Sequence, residues 1–183
     1  DTAENAFERM KVYDEQENQE KVIEEADNIL SLTEDAGLRW QALWYKAWAY
    51  RIIGWNIDCS EELSENTKAT NIETRDAYML KALNIIEDIE NWDGHQSCLY
   101  MFKGDLFVAG FQKDIKEEDN KFIARRYYIA ALQCEDKDAK NKVLERFRKI
   151  NDELWGDFEW YKEKEQYLKL AAESNNDIDR NKY

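Results

Sequence analysis

Proline is absent from the 183 residues, and glycine occurs only six times. Sheets and long loops need both residues at their turns, whereas either one weakens a helix interior, so the scarcity disfavours a turn-rich β fold. The single histidine, His95, sits in the polar link NWDGHQS. Any Ser- or Cys-based triad would have to include it, and no Ser or Cys stands in a recognisable nucleophile motif. There is no GxGxxG or Walker-type loop to cradle a phosphate, and no Glu-x-x-His spacing of a di-iron bundle. DIKEEDNK, from Asp114 to Lys121, lacks the glycine and the ligand order of a calcium loop. Cys59, Cys98 and Cys134 form no CxxC or other metal-type spacing. Their odd number reads as reduced thiols, and Cys98 and Cys134, inside apolar helical patterns, are expected to be buried. The expectation is no catalytic residue, no metal ligand and no cofactor; a helical enzyme assembled from distant residues stays open, with no residues to name. No stretch is long and apolar enough to span a membrane, and the expected location is cytoplasmic. Because the chain begins at Asp1 rather than Met, it reads as a processed or trimmed piece.

What is present is charge, aromatics and helix formers. Forty acids face 26 bases, for a net charge of -14, and hydrophobic residues make up 43% of the chain, enough for a sizeable core. A surface of that sign repels nucleic acid and anionic membranes and favours a protein or peptide partner. The basic clusters are short: Arg125 with Arg126, and RFRK from Arg146 to Lys149. The charge is also uneven. Residues Asp1 to Ala36 hold 12 acids and 3 bases, whereas Gly37 to Ile57 hold no acid and three bases, Arg39, Lys46 and Arg51. The acidic segment is either a solvated helix face or a docking surface for a basic partner.

Apolar residues recur at helical spacing along most of the chain. Phe7, Met10 and Tyr13 come first, then Val22 to Leu30, Leu38 to Trp55, Tyr78 to Ile89, Cys98 to Phe111, Phe122 to Leu132, Val143 to Ile150, and Trp155 to Ala172. Eight segments with mostly short links predict an all-α fold of four antiparallel helix pairs. Asn71, Asn120 and Asp136 are placed to cap helix starts, and Gly37, Gly54, Gly94 and Gly110 lie near segment ends. Gly104 falls inside an apolar helical run, where glycine costs about 1 kcal/mol against alanine, so a close helix approach is its expected reason.

A repeat follows from that glycine. Gly104 and Phe107 are three apart, as are Ala47 and Tyr50, and Met10 and Tyr13. The next helix of each pair carries a second spacing: Val22, Ala26 and Ile29; Arg75, Met79 and Ala82; Ala124, Tyr128 and Ala131. Over about residues 3–134 this resembles the tetratricopeptide repeat, in which a small residue and an aromatic on one helix meet small residues on the next. The resemblance implies a right-handed superhelix, with repeats at about 3–36, 40–91 and 97–134. The offsets between paired positions, 19, 35 and 27, imply insertions of 16 and 8 residues in the second and third repeats. Residues 137–173, charged and without the small-residue pattern, suit a capping pair, and 174–183 a frayed tail. A helical bundle or another solenoid fits most of these spacings too.

The segment from Leu38 to Trp55 is the most unusual. At 100° per residue, Trp40, Trp44, Trp48, Arg51 and Trp55 fall within about 80° of one another, with Leu43, Ala47 and Tyr50 on another side. The tryptophans either pack on adjoining helices or line a groove. In tetratricopeptide proteins the residues just after the small packing residue, and three before it, face the concave groove. That resemblance implies peptide contacts at Trp44, Trp48 and Arg51, and at Met101, Asp105 and Val108 in the following repeat. The expected function is therefore a non-catalytic scaffold for a protein or peptide; the alternative is an acidic inhibitor or immunity-type protein that neutralises a basic enzyme through surface charge. The pattern implies nothing about oligomeric state.

Overall fold

The computed structural model describes residues 2–94, 96–111, 117–134 and 139–155, and among these every regular element is a helix. Two compact units divide the chain, Asp1–Asp93 and Gly94–Tyr183. The first holds α1 (Ala3–Glu15), α2 (Gln19–Leu32), α3 (Ala36–Trp55) and α4 (Glu65–Asp93). The second holds α5 (Ser97–Val108), α6 (Glu117–Gln133) and α7 (Lys140–Trp155). Within each unit every helix packs on the next in sequence, as short links between antiparallel neighbours require.

Local chemistry sets the ends. Thr2 caps α1, its hydroxyl accepting from the Asn5 amide at 3.3 Å. The helix closes through Glu17, which takes a left-handed φ of 57°. Its amide and that of Asn18 donate back to the carbonyls of Asp14 and Tyr13, both at 2.9 Å. Asn18 then caps α2 by accepting from the Lys21 amide, so three residues reverse the chain. Arg9 fastens the hairpin across its middle with a two-pronged pair to Glu25, at 2.8 Å for each prong. Bonded to that guanidinium, the Glu25 carboxyl is held below its ordinary range. In the second unit Gly110, at φ 82°, closes α5 in the same way, with Gly110 and Phe111 donating to the carbonyls of Phe107 and Leu106.

The core of the first unit joins Ala3, Ala6 and Met10 of α1 to Val22, Ala26 and Ile29 of α2 and to Ala42 and Ala49 of α3. Each large apolar side chain withdrawn this way contributes about 1.5–3 kcal/mol. Met79, Ala82, Ile86 and Ile89 form the buried stripe of α4. In the second unit, Leu99, Phe102 and Leu106 of α5, Ala124, Tyr128 and Ala131 of α6, and Val143, Phe147 and Ile150 of α7 are buried.

Two helix starts differ from the sequence expectation. Asn71 lies inside α4, which begins about two turns earlier after Ser64, whose hydroxyl accepts from the Thr67 amide. No proline or glycine interrupts that polar stretch, so the helix takes in the last part of the expected insertion, from Glu65 to Asn71. Asn120 likewise lies inside α6. The third cap position, Asp136, the second half of the expected capping pair and the tail lie outside the described residues, as does His95. The three cysteines carry no disulfide, and Cys98 and Cys134 are half-buried rather than buried.

Gly104 behaves as its position implied. A Cβ built there would lie 2.5 and 2.8 Å from two ring atoms of Tyr128, so α5 and α6 touch through a gap that only glycine leaves. Tyr128 cannot swing aside freely, because its hydroxyl donates to Asp105 at 2.7 Å. Gly104→Ala should therefore lower stability by about 1–3 kcal/mol despite alanine's better helix propensity. Urea unfolding would show this as an earlier midpoint at an unchanged slope; a later midpoint would mean that the seam has slack.

Candidate docking face on helix α3

Helix α3 has three sides. Ala42 and Ala49 face the core shared with α1 and α2. Ala47 and Gly54 are buried on the side toward α4, where a Cβ at Gly54 would come within 3.3 Å of the Arg75 carbonyl oxygen and 3.2 Å of Met79 Cε. Tyr50 and Tyr78 meet along the same seam, with ring centroids 6.1 Å apart. Small residues on both packing sides let the neighbouring helices come close and leave the third side to the bulky ones.

That third side is an aromatic ladder. Trp40 stacks on Trp44 at 5.4 Å with planes 18° apart, and Trp44 meets Trp48 edge-on at 6.0 Å and 72°. The Arg51 guanidinium lies 4.7 Å from the Trp48 ring centroid, a cation–π contact. All four side chains are half-buried, and Trp55, one turn on, is 58% exposed. The indole N–H of Trp40 is buried and meets no acceptor among the described residues, so this end of the ladder is packed rather than wet.

The charge on α3 is equally one-sided. None of its 20 residues is acidic. Arg39 donates to the carbonyls of Leu30 and Thr33, at 3.0 and 3.1 Å, and Lys46 pairs with Asp27, so both reach toward α2. Arg51 is the cation on the ladder side.

The structure brings Trp44, Trp48 and Arg51 together on one side of α3, while Met101 and Asp105 lie on α5. Both belong to the second unit and are only 5% exposed, whereas Val108 is 41% exposed. The Asp105 carboxylate accepts from the Tyr128 hydroxyl at 2.7 Å and from Arg146 Nε at 2.8 and 2.9 Å. The repeat reading projects these α5 positions outward only if nothing covers them, and α7 brings Arg146 onto Asp105. Asp105 is thus an internal tie among three helices rather than a peptide contact, and Met101 is core. Beside it, Arg125 donates to Asn151 at 2.9 Å and lies over the Phe147 ring.

Two further residues occupy the positions on α1 that match the ladder's. Phe7 meets Tyr45 of α3 edge-on at 6.2 Å, both packed against the core of the first unit, and Lys11 sits 5.0 Å over the Phe7 ring. The signal was available: Phe7 and Lys11 stand three before and one after Met10, the offsets of Trp44 and Trp48 from Ala47.

Other places offer less. A concavity of about 790 Å³ lies beside the outer face of α7, lined by residues that include Leu144, Glu145, Arg148 and Asp152, a mix of both charges with no convergent chemistry. Among the described residues, no three His, Cys, Asp or Glu side chains gather as a metal site, and no helix is long and apolar enough to cross a membrane. Comparison with protein-family models, curated proteins and solved structures finds no match for the chain.

If Asp105 is structural, Asp105→Asn should cost about 2 kcal/mol, since Arg146 loses its anion. Arg146 remains 31% exposed, which keeps the loss below that of a fully enclosed pair. Unchanged urea stability would instead return Asp105 to the surface.

Proposed function

We propose that this chain is a non-catalytic docking scaffold of tetratricopeptide-like helix pairs, which grips a protein or peptide at Trp44, Trp48 and Arg51. One observation carries the reading. The largest side chains of α3 are gathered on a side apart from its buried alanines, and they are half-buried rather than enclosed. Clustered aromatics with an arginine are the composition of binding hot spots, where a few residues supply most of the affinity. The tetratricopeptide-like part of the proposal is supported by sequential antiparallel pairing and by the burial of Ala26, Ala47, Ala82, Gly104 and Ala131 at the repeat's packing positions.

A second reading draws on Glu4, Glu8, Glu20 and Glu24, which are all exposed on α1 and α2 and make an acidic face for a basic partner enzyme. The two differ in salt dependence. Charge-driven docking weakens steeply as ionic strength rises, whereas an aromatic grip weakens little.

Affinity capture from the native source should recover a partner with the wild-type chain and lose it with Trp44→Ala or Trp48→Ala. Each substitution is expected to weaken binding at least about tenfold. Equal capture by all three proteins, abolished by moderate salt, would favour the acidic face instead.

A further inference from the structure

We infer that the α3–α4 seam carries a second docking surface, which takes a partner segment bearing one carboxylate among aliphatic side chains, with the carboxylate at Lys81. The inference stands on other residues than the tryptophan ladder and does not depend on it.

Charge pattern is the first argument. The chain carries a net charge of -14, yet two stretches hold no acid: all of α3, and Ala77 to Ile86 of α4. They meet where Tyr50 lies against Tyr78 and Gly54 against Met79. Acids return on both flanks of the α4 stretch, at Glu73 and Asp76 and again at Glu87 and Asp88. The seam is thus a gap in an acidic surface, and Lys81 is the charge that α4 places in it.

The state of Lys81 is the second. Arg9, Lys11, Lys21, Lys46, Lys68 and Arg75 of the same unit each pair with a carboxylate. Lys81 is exposed, and among the described residues it pairs with none. Its ammonium lies instead over two half-buried rings, 5.3 Å from the Tyr50 centroid and 5.1 Å from that of Tyr78. A ring face attracts a cation without neutralising it, so the charge remains for an incoming anion. The two rings also restrict the side chain beforehand, which lowers the entropy lost on pairing.

The surroundings set the rest of the partner's chemistry. Leu80, next in sequence, is 48% exposed, and Ala77 and Asn84, about one turn to either side of Lys81, are exposed as well. Aliphatic groups flanking the carboxylate can cover this uncharged surface. A polyanion meets the repulsion of the whole chain, whereas a single carboxylate meets mainly the charge nearest to it. A basic segment meets a like charge at Lys81.

The test titrates the isotope-labelled full chain with short synthetic peptides and follows backbone amide shifts by NMR. One peptide sets a single glutamate among leucines and alanines; the others replace that glutamate with glutamine or lysine. The glutamate peptide should shift amides around Tyr50, Tyr78 and Lys81 saturably and bind about fivefold tighter than the glutamine peptide. Lys81→Gln, at an exposed position that leaves the core untouched, should erase that difference, and Trp44→Ala should leave it unchanged. Equal binding of the glutamine or lysine peptide, shifts centred elsewhere, or no saturable binding would overturn the inference while leaving the ladder reading standing. Loss of binding with Trp44→Ala would assign the contact to the ladder and overturn the separate surface.

Discussion

The close approach of paired helices over small residues is the constraint from which the rest of this structure follows. At Gly104 the gap is so narrow that a single methyl would strike the Tyr128 ring, and at Gly54 it would press on the α4 backbone. Ala26, Ala42, Ala47, Ala82 and Ala131 line the other seams, each 2% exposed or less. Seams this tight leave little room for tryptophan on the packing sides of α3, although Tyr128 and Phe102 fit into the interior of the second unit. On α3 the flank became a tryptophan ladder. Its position is a consequence of how α2 and α4 pack, which ties the candidate function to the fold.

The second unit meets the same constraint differently. Its α5 is buried from Met101 through Phe107, including Lys103 and Asp105. A buried carboxylate is costly unless its oxygens are fully used, and here Tyr128 and Arg146 use them. The arrangement fixes α7 to α5 through a directional charge pair as well as through Val143, Phe147 and Ile150. A buried charge pair in one unit and a half-buried aromatic flank in the other thus accompany the same close helix packing.

Much of this was legible in the sequence, for identifiable reasons. Helicity followed from missing proline and from 3.6-residue periodicity, signals that local physics controls. Gly104 announced its close contact because a glycine inside an apolar helical run weakens the helix unless a neighbour needs the space. The starts of α4 and α6 were misplaced because Asn71 and Asn120 are good caps whose neighbours are also good helix formers, and nothing local forbids the helix from running past them. Asp105 and Met101 were misread for a deeper reason. Asp105 is covered by Arg146 of α7, some forty residues away in sequence, and no spacing within α5 reports what covers either residue. The clustering of Trp44, Trp48 and Arg51 was legible because their geometry lies within one helix.

The central claim is that small residues hold the first unit together while the half-buried tryptophan ladder is proposed to serve a partner. Urea unfolding of Ala47→Leu beside Trp48→Ala tests it most directly. Overpacking the α3–α4 seam should cost about 2–3 kcal/mol, whereas removing the half-buried Trp48 should cost about 1 kcal/mol. The reverse order, with Trp48→Ala collapsing the fold and Ala47→Leu tolerated, would make the ladder core and contradict the account.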